Sequence, residues 1–330
     1  MQKYYRFIHS DETVRKNSSS GGAFTLISDL IFEKGGIVYG CAMDDKLNVK
    51  HIRAIDKETR NNMRGSKYVI SDLKDVFSQI NKDMIAGNIV LFTGTPCQCY
   101  AITKYLNEIK TNADNLWRME VICHGVGSKT FFNDYIKCLE NKYKSKAVKV
   151  NFRAKCHKGQ KQDMEVLFNN GRKYHASSTK YDWFYSVYLQ NLILRPCCYE
   201  CPFAKNERYS DLSVADLWGF RDDEAYSLIV CNTEKCEQLN LISVEGVDEI
   251  TKSEVAQPNM KHPSDRPKCR EEFWDTYVKY GYLKAQRWIG NNTPKGWLKK
   301  LLTRVAYDMH IAILLKHICR HIYKKRNKTV

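Results

Sequence analysis

"NIVLFTGTPCQCYAITKYL", residues 88–106, changes character at one point, Gly94–Thr95. The run before it is apolar and reads as a strand. Behind it, Thr95 can cap a helix and Pro96 takes the first helical position, where a missing N–H costs nothing. A strand that feeds a capped helix is the building unit of an α/β layer.

The same rhythm continues on both sides. "SSSGGAFTLISDLIFEKGG" (18–36) reads as a loop, a helix from near Ala23 and a stop at Gly35–Gly36, with the strand "GIVYGCAM" (36–43) after it. "RMEVICHG" (118–125) is a further strand, and "SKTFFNDYIKCLENKY" (128–143) a helix capped by Ser128. "AVKVNFRAK" and "DMEVLFNNGRKYHA" read as strands, the second broken by an Asn-Gly turn. "DWFYSVYLQNLIL" (182–194) is an amphipathic helix, "DLSVADLWG" and "AYSLIVCN" are short strands, and "TEKCEQLNLI" is a helix. The predicted fold class is α/β, a mixed sheet with flanking helices, a cofactor site at the strand ends and a C-terminal helical tail. Four regions are expected: 1–94, 95–251 with the cysteine cluster, a linker with short helices at 252–293, and a basic amphipathic tail at 294–330.

The chain is 43% hydrophobic and 12% aromatic, enough to bury a sizeable core. Its opening residues form no secretory leader, and the late run "IAILL" falls far short of the roughly 20 residues that span a bilayer. The expected location is the cytoplasm, where thiols stay reduced. Thirteen cysteines, an odd number, then call for ligation or packing rather than disulfides. Of the net charge of +16, residues 295–330 supply +9, with ten Lys or Arg against Asp308 alone. The surplus belongs mainly to the tail. Its apolar positions, from Trp297 to Ile322, recur at helical spacing among basic residues. Such a helix suits an anionic membrane surface, an acidic partner, or docking on its own domain. Nucleic acid is not expected, since no recognisable binding module accompanies the charge.

"RPCCYECPFAKNERYSDLSVADLWG" (195–219) holds Cys197, Cys198 and Cys201. Cys198 and Cys201 form a C-x-x-C that follows a helix rather than opening one, which argues against a thioredoxin-type redox pair. C-x-x-C-H, the haem-attachment signature, is absent. Metal ligation leads, and two thiolates make half of a four-thiolate site. Cys97, at a strand-to-helix turn, and Cys123, near a strand end, reach the same sheet edge if their strands are parallel. Helix N-terminal amides would favour the thiolate at Cys97. Cys99 points about 200° around the helix from Cys97 and is left out. Cys197 is the spare thiol, and the remaining cysteines, Cys156 and Cys319 among them, fall to packing or surface. Ordinary buried thiols at Cys97 and Cys123 remain the competing reading.

"NSSSGGAFT" (17–25) sets serine hydroxyls and glycine amides ahead of a helix, an arrangement that suits a phosphate, although any capped helix can begin so. "RGSKYV" (64–69) adds Arg64 and Lys67, which could hold a pyrophosphate, and Tyr68, which could stack on a flat ring; a solvated basic loop is the alternative. His124, beside Cys123, is the candidate proton donor, or a core hydrogen-bonder.

Seven ordered segments, "SSSGGAFTLI", "GGIVYGCAMD", "RGSKYVISDL", "VLFTGTPCQ", "VICHGVGS", "NFRAK" and "CYECPFAKNERYSDLSVADLWG", resemble the beta subunits of coenzyme F(420) hydrogenases and dehydrogenases and their bacterial relatives. The likeness runs from about residue 17 to 220. It implies an iron–sulfur flavoprotein oxidoreductase that moves electrons between a 4Fe–4S cluster and a flavin, usually FAD, and acts on a small-molecule substrate, with the deazaflavin coenzyme as one candidate. It implies Cys97, Cys123, Cys198 and Cys201 as cluster ligands. It also implies Ser19, Ser20, Gly21, Gly22, Arg64, Lys67 and Tyr68 as the flavin region, within 1–94. The sixteen residues ahead of Asn17 lack the cysteine-rich ferredoxin-like segment of many relatives. Electrons are therefore expected from a separate ferredoxin or a partner subunit, with the tail offering peripheral contact at the inner face of a membrane. The rival reading is a zinc-stabilised binding or assembly protein, or an accessory subunit, on the same fold.

Overall fold

The computed structural model describes residues 2–155, 163–177, 182–218 and 225–288. The expected tail, Cys156 and Cys319 lie outside the described residues. In chain order come β1 (Lys3–Phe7), α1 (Glu12–Lys16), α2 (Ala23–Glu33), β2 (Ile37–Met43), β3 (Val49–Ala54), α3 (Lys57–Asn61) and α4 (Val76–Ile85). Next are β4 (Val90–Gly94), α5 (Pro96–Glu108), β5 (Leu116–Val121), α6 (Lys129–Tyr143), β6 (Ala147–Ala154), β7 (Asp163–Phe168), β8 (Lys173–Ser177) and α7 (Trp183–Leu189). β9 (Leu212–Asp216), β10 (Ser227–Cys231), β11 (Val247–Ile250), α8 (Arg270–Tyr280) and α9 (Tyr282–Trp288) complete the order.

Eight strands form one mixed sheet in the order β11-β1-β10-β9-β5-β4-β2-β3, and β6-β7-β8 form a separate three-stranded sheet. β2, β4, β5 and β9 are parallel neighbours, and the other pairings are antiparallel. Strands of both the 1–94 and the 95–251 regions thus build the main sheet. Period-two alternation sorts its side chains. Val90 and Phe92 face Ile80 and Met84 of α4 and Ile102 and Leu106 of α5, whereas Leu91 joins Leu26, Ile27 and Ile31 of α2 on the other face. This two-sided burial is why the 88–94 run carries no polar alternation. A third core packs Phe152, Met164, Val166 and Phe168 of the small sheet against Phe131, Phe132 and Tyr135 of α6, Phe184 of α7 and Phe273 of α8.

Local departures from the sequence reading have local causes. α7 stops at Leu189 although the apolar pattern runs on, because Asn191 turns left-handed at φ 61°. Residues 233–242 form 3₁₀ turns broken by Asn240 at φ 44° rather than one α-helix. Among the described residues no helix is long and apolar enough to cross a membrane.

Candidate functional site

Parallel neighbours end at a common edge, and ligands of such sheets gather there. The carboxyl ends of β2, β4, β5 and β9 open onto a cavity of about 390 Å³. Its walls include residues 18–20, 64–68, 93–95, 121–126 and 214–216.

The serine-glycine loop forms one wall. Gly21 must be glycine, since a Cβ there would lie 2.1 Å from the Phe7 carbonyl oxygen. Gly22 caps α2 at φ 102°, a region that favours glycine. Ser19 ties this loop to the second motif: its Oγ accepts from the Ser66 N–H at 2.9 Å and lies 2.8 Å from Ser66 Oγ. Ser20 Oγ meets Ser227 Oγ at 2.7 Å. Arg64 lines the cavity and donates from Nε to Thr25 Oγ1 at 3.0 Å.

Lys67 also lines the cavity, but its ammonium is committed elsewhere. It donates to the carbonyls of Cys41, Met63 and Arg64 at 2.8, 2.8 and 3.0 Å, and burial pulls its pKa down to about 8. An ammonium has three protons, and all three are used. Lys67 therefore shapes the loop instead of offering a free cation. The Tyr68 ring packs against Phe152, Tyr185 and Tyr188 at 5.6, 5.7 and 4.7 Å between centroids while still lining the cavity.

The second wall carries the thiols. Cys123 follows β5 in the cavity lining. Burial pushes its thiol up to about 12, a Gly125 backbone hydrogen bond opposes this, and Cys198, Cys97 and Cys201 add to the rise. Burial likewise raises Cys198 to about 11 and raises Cys201, opposed by backbone hydrogen bonds from Val126 to Cys198 and from Phe203 and Ala204 to Cys201. Cys97 is exposed at the start of α5, its sulfur 3.1 Å from Thr95 Oγ1. The four thiols singled out in the sequence therefore lie within electrostatic reach of one another. Cys197 joins them through Cys198 and Cys201, while Cys99 turns away, its Sγ 3.8 Å from the Met119 carbonyl. Among the described residues, no three His, Cys, Asp or Glu side chains stand as a formed metal site. The donor chemistry nevertheless fits an iron–sulfur centre, because amide N–H groups directed at cysteine sulfurs favour the thiolate charge such a centre requires.

His124 lines the same cavity, with Nδ1 3.4 Å from Ser264 Oγ and its ring 5.3 Å from that of Tyr188. Burial lowers its pKa, opposed by hydrogen bonds with Asn191 and Asn259. Three wall residues escaped the sequence reading. His51 donates from Nε2 to the Thr93 carbonyl at 2.8 Å, and burial lowers its pKa to about 4. Arg153 of β6 and Asp216 of β9 pair at 2.7 Å, the arginine only 6% exposed. The one available signal was "RAK" itself, two cations at an i, i+2 spacing that puts them on one face of a strand.

A family model for the C terminus of the beta subunit in coenzyme F420 hydrogenase/dehydrogenase matches residues 87–254, just over half of the chain. Comparison with curated proteins finds no match. Among solved structures, a chain of the F420-reducing nickel–iron hydrogenase complex from Methanosarcina barkeri is similar, with a TM-score of 0.55. It is 17% identical, and the match covers 86% of this chain and 90% of that one. At that identity the likeness is one of fold. With the family model spanning both the β4–α5 turn and the cysteine loop, the chain belongs to the coenzyme F(420) hydrogenase/dehydrogenase beta subunit family.

Proposed function

We propose that this chain is a redox subunit that holds a flavin, FAD by preference, in the strand-end cavity beside a 4Fe–4S cluster carried by Cys97, Cys123, Cys198 and Cys201. One observation carries the reading: Ser20 of the serine-glycine loop and Cys123 line the same cavity. When bound, the flavin supplies two-electron hydride chemistry and the cluster one-electron steps.

The chain's own residues supply binding and orientation. Amides of the 19–22 loop, the α2 N-terminus and Arg64 suit phosphate. Val121 and Val214 give the cavity apolar wall that a flat ring could lie against. His124 offers a ring nitrogen for proton transfer at the cavity wall. In this reading residues 1–94 contribute the flavin side and 95–251 the cluster side. Exposed Cys97 marks where electrons from a ferredoxin or partner subunit would enter, and a small molecule, the deazaflavin coenzyme included, is the substrate.

Purification without air, followed by iron, acid-labile sulfide and flavin assays, tests the proposal. About four irons and one flavin per chain are expected. Zinc on the thiols without sulfide or flavin would select the binding-protein reading instead.

A further inference from the structure

The main-chain carbonyls around the serine-glycine loop are bound one after another, and two of the donors come from β6 and the residue just beyond it. The Ser19 carbonyl accepts from Arg153 Nη2 at 3.0 Å, and the Ser20 carbonyl accepts from Lys155 Nζ at 3.2 Å. Lys155 also donates to the Arg15 carbonyl at 2.6 Å, and the Gly21 carbonyl accepts from the His9 N–H at 2.8 Å. In a trans peptide the C=O of one residue and the N–H of the next point to opposite sides. Each bound carbonyl therefore turns the following N–H, at Ser20, Gly21 and Gly22, away from its clamp. None of these three N–H groups has an acceptor among the described residues, although Ser20, Gly21 and Gly22 are all buried. At Ser20 and Gly22, which line the cavity, such amides are open to an acceptor that the polypeptide does not provide.

Arg153 gives a second, independent sign of a ligand. It lines the cavity, is 6% exposed, and its Nε has no acceptor among the described residues. Its other nitrogens are fixed by Asp216 Oδ2 at 2.7 Å and by the Tyr68 hydroxyl at 3.2 Å. Arg153 thus joins three of the segments that line the cavity.

Resting on the flavin reading above, we propose that Arg153 and Lys155 are positioning residues that set the serine-glycine loop so that its cavity-lining amides, at Ser20 and Gly22, meet the phosphates of the bound flavin. The consequence is selectivity: the cavity takes phosphorylated flavins, FAD or FMN, in preference to riboflavin. The two cations need not touch the ligand. They act by holding the Ser19 and Ser20 carbonyls, and so the orientation of the loop.

The test uses the full chain, purified without air and stripped of flavin, titrated with FAD and with riboflavin and followed by quenching of flavin fluorescence. Arg153→Lys keeps the charge but cannot reach three acceptors at once, and Lys155→Met removes the second clamp. Each variant is expected to weaken FAD roughly tenfold or more, the scale of one lost charge-assisted hydrogen bond, and to change riboflavin by less than about twofold. FAD affinity unchanged in both variants, or FAD and riboflavin weakened equally, overturns the inference, since a merely structural role would not discriminate between them. If the unsubstituted chain binds neither ligand, the flavin reading fails first and takes this inference with it. Arg153→Met, should it still fold, must show the larger discrimination of the two Arg153 variants.

Discussion

Glu120 and Arg208 meet at 3.2 Å with both side chains 1% exposed, joining β5 to the loop that follows Cys201. Ser210 and Ser213 also donate to Glu120, at 2.7 and 3.1 Å, and Arg208 donates to the carbonyls of Phe203 and Asn259. Removing one partner would strand a buried charge, at a cost of about 3–5 kcal/mol. Arg208→Met should therefore lower the melting temperature by several degrees and reduce the iron retained per chain. An unchanged melting curve would contradict the anchoring role.

The cysteines should separate into two groups. Serine at Cys97, Cys123, Cys198 or Cys201 is expected to cut bound iron by at least about half, because each replaces a soft thiolate with a poor ligand. Cys99→Ala should leave iron unchanged and cost only about 1 kcal/mol of packing. Iron analysis and the visible absorption of the purified variants decide the grouping. Full iron in Cys123→Ser would remove that residue from the set.

Gly21→Ala tests the close approach of the loop to β1. The added methyl would sit 2.1 Å from a backbone oxygen that cannot swing aside. The substitution should destabilise by about 1–3 kcal/mol and abolish flavin retention, read by chemical denaturation and by flavin release.

Two buried groups push the acid behaviour in opposite directions. Asp182 is fully buried under the hydroxyls of Tyr135 and Tyr174, and burial lifts its pKa from 3.8 to about 6. The native state keeps that proton longer, so its contribution is complete below pH 3.8 and is lost as pH rises through about 6. His51 runs the other way: lowered from 6.5 to about 4, its contribution is complete above pH 6.5 and is lost as pH falls through about 4. Each amounts to on the order of 3 kcal/mol. Relative to the unsubstituted chain, Asp182→Asn should lose stability more steeply from pH 6 to 4, and His51→Gln less steeply. Denaturation midpoints across that range would show the two slopes diverging, and parallel curves would refute the assignment.

The sequence disclosed those elements whose determinants are local. Thr95, Pro96 and Ser128 mark helix starts that the structure places at the same residues. The gathering of Cys97 and Cys123 at one edge was legible because it follows from parallel pairing alone. Lys67 could not be sorted from sequence, because a basic residue beside a glycine looks the same whether its partner is a phosphate or three carbonyls of its own loop. Arg153 and His51 stayed hidden for a related reason. Their roles depend on a second sheet and on a stacking neighbour, Phe92, that lie far from them in sequence.

Among the described residues no strand of β6–β8 pairs with the main sheet, yet side chains from β6 and the residue just beyond it fasten the loop that opens α2. Whatever settles against that loop therefore also fixes how the two sheets sit together. By reciprocity, the sheets' mutual position tunes how firmly the guest is held. Filling the pocket should slow amide exchange along β6–β8, far beyond the atoms in contact, so that a distant layer of the molecule registers occupancy.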